Sequence, residues 1–374
     1  MTRRRDRRPE ALPLDDGVLL EEAVCEFQSD LAVAALGGTS VQPWRDRFLA
    51  ARSQELEVVA SSEGLGDATF RQAVVHLQKS RAATFADLAE AWRVLAPGGR
   101  LLLAGTNALG IVSAVKRLAQ QLDQSPVVVA NRARARVVRF ERDAGPGPTT
   151  ETPPRLQVEV GPTPDPRLAF ELESAPGVFS ARRLDAGSQV LLEALADASE
   201  RSTPRRIVDL GCGSGVLGLA AARLWPAASL LLADADARAV ACATRNALRL
   251  GLAARCPVVW WDAREPTPDA GFDLALVNPP FHRQGPAVDL GPALALFESL
   301  ERWLRPGGRA LLVANRTLPY EAPLAALGEL EVVATTRGYK LLSLKRSARS
   351  ARSRGRQSPG ARSAGRSRRP TRSR

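Results

Sequence analysis

Ile207-Val208-Asp209-Leu210-Gly211-Cys212-Gly213-Ser214-Gly215 decides the fold of this chain. Two β-branched residues lead into an acid and then into alternating glycines, the pattern of a buried parallel strand that ends in a tight turn ahead of a helix. Glycines 211, 213 and 215 let the turn take positive φ and let its backbone approach a ligand, with the N-terminus of the next helix facing it. A second apolar run, Phe272-Asp273-Leu274-Ala275-Leu276-Val277, ends in Asn278-Pro279-Pro280-Phe281. In an open α/β sheet, ligands bind at the carboxyl ends of strands. The two runs therefore predict a cradle and a polar-aromatic clamp side by side in one crevice.

Outward from this pair, strands are expected at 207–210, 229–234, 257–261, 272–277, 309–314, 331–334 and 339–344, and helices at 215–224, 237–250 and 292–304. That βα alternation predicts an α/β fold, a doubly wound, mostly parallel seven-stranded sheet. The last two strands, joined by a short turn, are expected to pair antiparallel at one edge.

The acids around the crevice select the cofactor. The second strand ends in Asp234, whose carboxylate can accept both ribose hydroxyls, and the third in Asp262, which can take an adenine amino group. Asp209 stands ahead of the turn, near a cationic aminoacyl end. Such acids suit a sulfonium and an ammonium, whereas a pyrophosphate wants Arg, Lys or bare backbone donors. S-adenosylmethionine (SAM) is the cofactor these residues predict. Asp236 reads as the N-cap of its helix, without a role in binding.

The clamp suits a planar amino nitrogen, a poor nucleophile because its lone pair is delocalised. Two acceptors on its hydrogens localise that pair, and the Asn278 side-chain oxygen and the Pro279 carbonyl can supply them. Neither Pro279 nor Pro280 has an N–H to compete, and proline holds the residue before it extended. Phe281 offers a face for stacking. The expected chemistry is in-line methyl transfer, in which alignment supplies much of the acceleration.

The 374 residues are enough for two domains, and 45% apolar content is ordinary for globular protein. No signal peptide or apolar span is evident, so a cytoplasmic location is expected. Cysteines 25, 212, 242 and 256 lack metal-ligand spacing and the only histidines are His76 and His282, so neither a metal site nor a disulfide framework is expected. The formal charge is +12, and residues 345–374 carry twelve Lys or Arg and no acid, so the rest of the chain is neutral. This Arg/Ser-rich tail is expected to be disordered and to pair with RNA phosphates, as is a shorter basic run at 3–8.

A Pro/Gly-rich stretch at 141–166 separates two halves. On either side stands a related phrase: Trp92-Arg93-Val94-Leu95-Ala96-Pro97-Gly98-Gly99-Arg100 in the first half and Trp303-Leu304-Arg305-Pro306-Gly307-Gly308-Arg309 in the second. The repetition suggests duplication of one domain. The first copy has no glycine turn and puts Val75-His76-Leu77 where the second has Val277-Asn278-Pro279, so residues 1–140 are expected to keep the fold and to have lost the chemistry.

Asn278-Pro279-Pro280-Phe281-His282, the segment Pro176-Gly177-Val178-Phe179-Ser180 with Asp185-Ala186-Gly187-Ser188 after it, and Val313-Ala314-Asn315-Arg316 before Arg337-Gly338-Tyr339-Lys340 together resemble the ribosomal RNA guanine-N2 methyltransferases RsmC and RlmG. The likeness covers 167–344 strongly and the first half weakly. It implies two tandem class I methyltransferase-like domains, the first degenerate and helping to hold RNA, the second binding SAM, with ribosomal RNA or a ribosomal subunit as partner and the chain a monomer. It also implies that Phe179 and Ser180 lie on a segment closing over SAM, with Asp185 and Gly187 in the same cap. Thr106 departs from the family, which commonly carries a basic residue in that loop. Two alternatives stand beside this reading: a protein-glutamine N5-methyltransferase, whose amide needs the same clamp, and a ribosome-assembly factor that binds RNA without turnover. Which subunit is modified is open, with the Val313 and Ile207 phrases leaning to the large one.

Overall fold

The computed structural model describes residues 23–151, 155–159, 165–180, 183–280, 282–284, 287–336 and 338–348. Its first half runs β1 (Val24–Phe27), α1 (Leu31–Leu36), β2 (Gly38–Val41), α2 (Arg45–Ser53), β3 (Val58–Val59), β4 (Phe70–His76), α3 (Arg81–Val94), β5 (Leu95–Thr106), α4 (Ile111–Leu122), β6 (Val127–Arg132) and β7 (Ala135–Glu141). A hairpin of β8 (Leu156–Val158) and β9 (Phe170–Leu172) follows. The second half runs α5 (Ala186–Ser199), β10 (Arg206–Leu210), α6 (Val216–Leu224), β11 (Ser229–Asp234), α7 (Ala237–Arg249), β12 (Val258–Trp260) and β13 (Phe272–Val277). It continues with β14 (His282–Gln284), β15 (Ala287–Asp289), α8 (Gly291–Trp303), β16 (Leu304–Asn315), α9 (Glu321–Ala325), β17 (Gly328–Thr335) and β18 (Tyr339–Arg346).

Two seven-stranded sheets result, ordered β3-β2-β1-β4-β5-β7-β6 and β12-β11-β10-β13-β16-β18-β17. The orders are the same position for position, so the chain is two copies of one doubly wound domain. In the second copy β12, β11, β10, β13 and β16 are parallel neighbours, and β18 runs antiparallel between β16 and β17.

Continuous apolar runs make the central strands because both of their faces are covered. Ile207 through Leu210 are all buried, and in α6 every residue except Arg223 is buried against the sheet and against Leu191, Leu192 and Leu195 of α5. The repeated Pro-Gly-Gly phrase lies inside β5 and β16 as an irregularity in the pairing, not as a turn before the strand as expected. Gly98 and Gly307 both take φ 75°. A Cβ on Gly99 or Gly308 would lie 2.7 or 2.8 Å from a backbone carbonyl oxygen. One glycine supplies the left-handed residue and the other the close approach, which is why the pair recurs.

Three other boundaries differ from expectation. Helix α5, absent from the sequence reading, precedes β10. Leu156 and Val158, in the stretch taken as connection, join the core of the second half through β8. Lys345 and Arg346, assigned to the tail, complete β18 opposite Glu329 and Gly328. The rest of the tail beyond 348 and the basic run at 3–8 lie outside the described residues. Among the described residues no helix is long and apolar enough to cross a membrane.

The two copies are bonded to each other at their strand ends. Trp44 and Asp236 form a β-bridge, with Arg45 N–H donating to the Ala235 carbonyl and Ala237 N–H to that of Pro43, both at 2.8 Å. Arg45 makes a bidentate pair with Glu265 at 2.9 and 3.0 Å and lies over the Trp260 ring, which Phe48 meets edge-on. Arg238 reaches Gln78 at 3.2 Å.

Candidate active site at the ends of β10, β11 and β13

The register Leu210↔Val277 sets the glycine turn and Asn278 at the same level on adjacent strands, and Leu210↔Ala233 sets Asp234 beside them. The glycine turn, Asn278 and Asp234 therefore lie at the ends of three adjacent strands. Gly211, Gly213 and Gly215 take φ 75°, 56° and 90°, and a Cβ on Gly211 or Gly213 would meet nothing within 4 Å. The first two glycines are thus required by conformation, and the turn lies open to a ligand.

Asp209 is 1% exposed beneath this turn. Its Oδ2 accepts from Gly218 N–H at 2.8 Å, while Oδ1 is buried without a hydrogen-bond partner. Burial, together with the charge on Asp234, pushes its carboxyl up to about 7. Asp234 is half-buried and accepts from Gly213 N–H at 2.8 Å and Asp236 N–H at 2.9 Å. Burial raises it to about 6 despite those bonds. A pair of acids held near neutrality, one with an oxygen unsatisfied, favours a cationic, hydroxyl-bearing ligand. The groups SAM would need are present: a glycine cradle, an unsatisfied acid, and an acid at the end of the next strand. Asp236 caps α7 by accepting from Arg238 N–H, as expected.

Asp262 follows β12, one strand further out, and is largely covered. Its Oδ1 accepts from Arg264 N–H at 2.9 Å and pairs with the Arg264 guanidinium. Its own N–H donates to Glu265, the partner of Arg45 from the first half. Cys212 is buried, which raises its thiol well above the usual range. It is a packing residue within the turn.

Asn278 follows β13 with its amide anchored: Nδ2 donates to Asp185 Oδ2 at 3.1 Å and to Ser188 Oγ at 3.0 Å. Pro279 is buried and Pro280 half-buried, while Phe281 lies outside the described residues. Phe179 is 61% exposed and, with Ser180, Arg183, Asp185, Gln189 and Tyr339, lines a cavity of about 530 Å³ beside this amide. The sequence reading assigned no role to Ser188 or to Tyr339. An N-cap acid ahead of the Leu191, Leu192, Leu195 spacing was the available signal for α5. Asn246 was missed too: fully buried on α7, it bonds both to Glu173 backbone and to the Ser214 carbonyl, tying the segment before Phe179 to the glycine turn.

At the equivalent strand ends of the first copy, Glu26 stands for Asp209 and His76 for Asn278 by register. There Glu26 pairs with His76 at 2.8 Å and accepts from Ala32 and Val33 N–H at the start of α1. Burial works to raise Glu26, but these bonds outweigh it and hold the carboxyl below its ordinary value.

Residues 169–343 match the family model described as the methyltransferase small domain. The chain is 33% identical over 293 residues to the ribosomal RNA small subunit methyltransferase C of Pseudomonas syringae pv. tomato, covering 75% of this chain and 81% of that one. It is 31% identical over 254 residues to the ribosomal RNA large subunit methyltransferase G of Shewanella amazonensis, covering 64% and 63%. Alignments to the curated relatives named as methyltransferase C span from half to four fifths of those proteins. A solved structure of the Thermus thermophilus 16S rRNA N2 G1207 methyltransferase in complex with AdoMet and guanosine superposes with a TM-score of 0.76 at 26% identity, covering 87% of this chain and 88% of that one.

Proposed function

Because the chain belongs to the family of ribosomal RNA small subunit methyltransferase C, we propose that it is a SAM-dependent methyltransferase that methylates the exocyclic N2 of a guanine in ribosomal RNA. The observation that carries this reading is the Leu210↔Val277 register, which sets an anchored Asn-Pro-Pro at the level of a glycine turn over an unsatisfied acid. SAM, when bound, supplies an electrophilic methyl group on a sulfonium.

Glycines 211, 213 and 215 admit the cofactor's backbone-facing edge. Asp209 would pair with its ammonium, Asp234 would accept from its ribose hydroxyls, and Asp262, with one oxygen already committed to Arg264, would take the adenine side. Phe179 covers the aminoacyl end. Asn278 Oδ1 and the Pro279 carbonyl accept the two hydrogens of guanine N2 and turn its lone pair out of the ring plane. Pro280 keeps the loop extended, and Phe281 stacks on the base. The proton leaves to water after transfer. The guanine must be unpaired to enter, so the first copy and the basic tail act as RNA holders. The chain works as a monomer in the cytoplasm, where ribosomes are assembled.

Incubation with SAM and unmodified small or large ribosomal subunits, followed by nucleoside mass spectrometry, tests this. N2-methylguanosine at one site is expected. Methyl found on a protein glutamine, or RNA binding without turnover, would replace the reading.

A further inference from the structure

The Asn278 amide can contribute an acceptor to catalysis only if its oxygen faces the substrate, and an amide is nearly symmetric in shape. In this structure both hydrogens of Nδ2 are used, one on Asp185 Oδ2 at 3.1 Å and one on Ser188 Oγ at 3.0 Å. The opposite orientation would set the amide oxygen against a carboxylate oxygen at that distance, a repulsion between two acceptors. The anchor is built with care. Asp185 caps α5, accepting from Ser188 N–H at 3.0 Å, so its carboxylate folds back over the first helical turn. A Cβ at position 187 would lie 2.9 Å from Asp185 Oδ2 and 3.1 Å from Tyr339 Cε1, so glycine there makes room for it. Ser188 is 7% exposed, and its hydroxyl oxygen accepts from the Asn278 amide at 3.0 Å.

We propose that Asp185 and Ser188 are positioning residues that fix the direction of the Asn278 amide, turning its Oδ1 toward the base and its NH₂ away. The proposal rests on the function given above and adds a cause for the clamp's orientation. It predicts that the negative charge, and not merely a hydrogen-bonding group, is needed at 185. Asparagine there caps a helix as well as aspartate. It can also donate to Asn278 Oδ1, and so stabilises the wrong orientation as readily as the right one.

The test is a pair of double-mutant cycles in the full chain, Asp185→Asn with Asn278→Ala and Ser188→Ala with Asn278→Ala, each with both single variants and the combined one. Single-turnover methyl transfer to unmodified ribosomal RNA, calorimetric SAM affinity and chemical denaturation are measured for each. Asp185→Asn is expected to slow transfer about tenfold to a hundredfold with SAM affinity within about twofold, and to add nothing in the Asn278→Ala background. Ser188→Ala, which keeps the cap, is expected to slow transfer several-fold with the same lack of additivity. Losses that multiply in the double variants, or a fall in SAM affinity with the rate at saturating SAM unchanged, would show that Asp185 acts on the cofactor or the fold instead. A separate denaturation cycle with Asp185→Ala and Asn278→Ala, in which position 185 can make no hydrogen bond, reads the 185–278 contact without turnover, and zero coupling there overturns the proposal by itself. A wild-type chain that forms no N2-methylguanosine defeats the proposed function instead, and that result is seen before any variant is compared.

Discussion

The ends of β1 and β10 hold the same kind of acid in the same register and have opposite fates. Glu26 is closed: one oxygen is on His76, the other on two helix N–H groups, and its carboxyl is held below the ordinary range. Asp209 is buried and unsatisfied: one oxygen is on Gly218 N–H, the other has no partner, and its carboxyl is raised to about 7. The extra methylene of Glu26 and a histidine in place of Asn278 let the first copy satisfy its acid with its own groups, and each copy can be tested against the other at equivalent positions.

The largest expected effect is at the clamp. Asn278→Ala should slow methyl transfer by about a hundredfold or more with SAM affinity nearly unchanged. The matching His76→Ala should leave transfer within about twofold, because nothing reacts at that strand end. Calorimetry showing SAM binding abolished in a folded Asn278→Ala chain would overturn the division of roles.

Next, the acids should separate. Asp209→Asn is expected to weaken SAM about tenfold to a hundredfold, the worth of a hydrogen bond to a charged group at about 1.5–3 kcal/mol. Glu26→Gln should instead lower stability by about 1–3 kcal/mol and leave SAM affinity alone. Equal effects of the two substitutions on SAM binding would end the comparison.

The pH dependence has a definite sign. Burial raises Asp209 to about 7 and Asp234 to about 6, so the free folded chain holds protons that the unfolded chain has lost between about pH 4 and 7. These groups therefore contribute less stability as pH rises through that window. A cationic ligand needs them ionised, so SAM affinity should move the other way, falling about tenfold per pH unit below 7 for Asp209. Titration calorimetry from pH 5 to 8 measures it, and a flat profile would remove the acid from the cofactor's ammonium.

Arg45→Ala should cost about twofold to fivefold in SAM affinity, since it removes one partly exposed ion pair and one cation–π contact from the loop that carries Asp262. No change would mean that the first copy does not steady the loop that carries Asp262. The smallest effect is at the tail. Truncation after Ala348, which spares β18, should flatten the slope of log RNA affinity against log salt by about 0.7 for every phosphate the tail had neutralised. SAM affinity should not move, and an unchanged salt slope would show that the tail does not touch RNA.

Much of this was legible from residue order alone. The glycine turn, Asn278 after an apolar run, and the acids at 209, 234 and 262 are local signals, because a strand followed by a turn and a helix is written in consecutive residues. The closing hairpin and the Asp236 cap were legible for the same reason. What the sequence could not supply is separated in the chain. Asp185 lies 3.1 Å from the amide of Asn278 although 93 residues apart, and Arg45 grips Glu265 across 220. Whether an acid is satisfied or left with a bare oxygen depends on which backbone N–H groups and side chains the sheet brings to it. Asp209 and Glu26 are both acids within an apolar strand in the sequence, and only strand register and packing made one a closed pair and left the other with an unsatisfied oxygen.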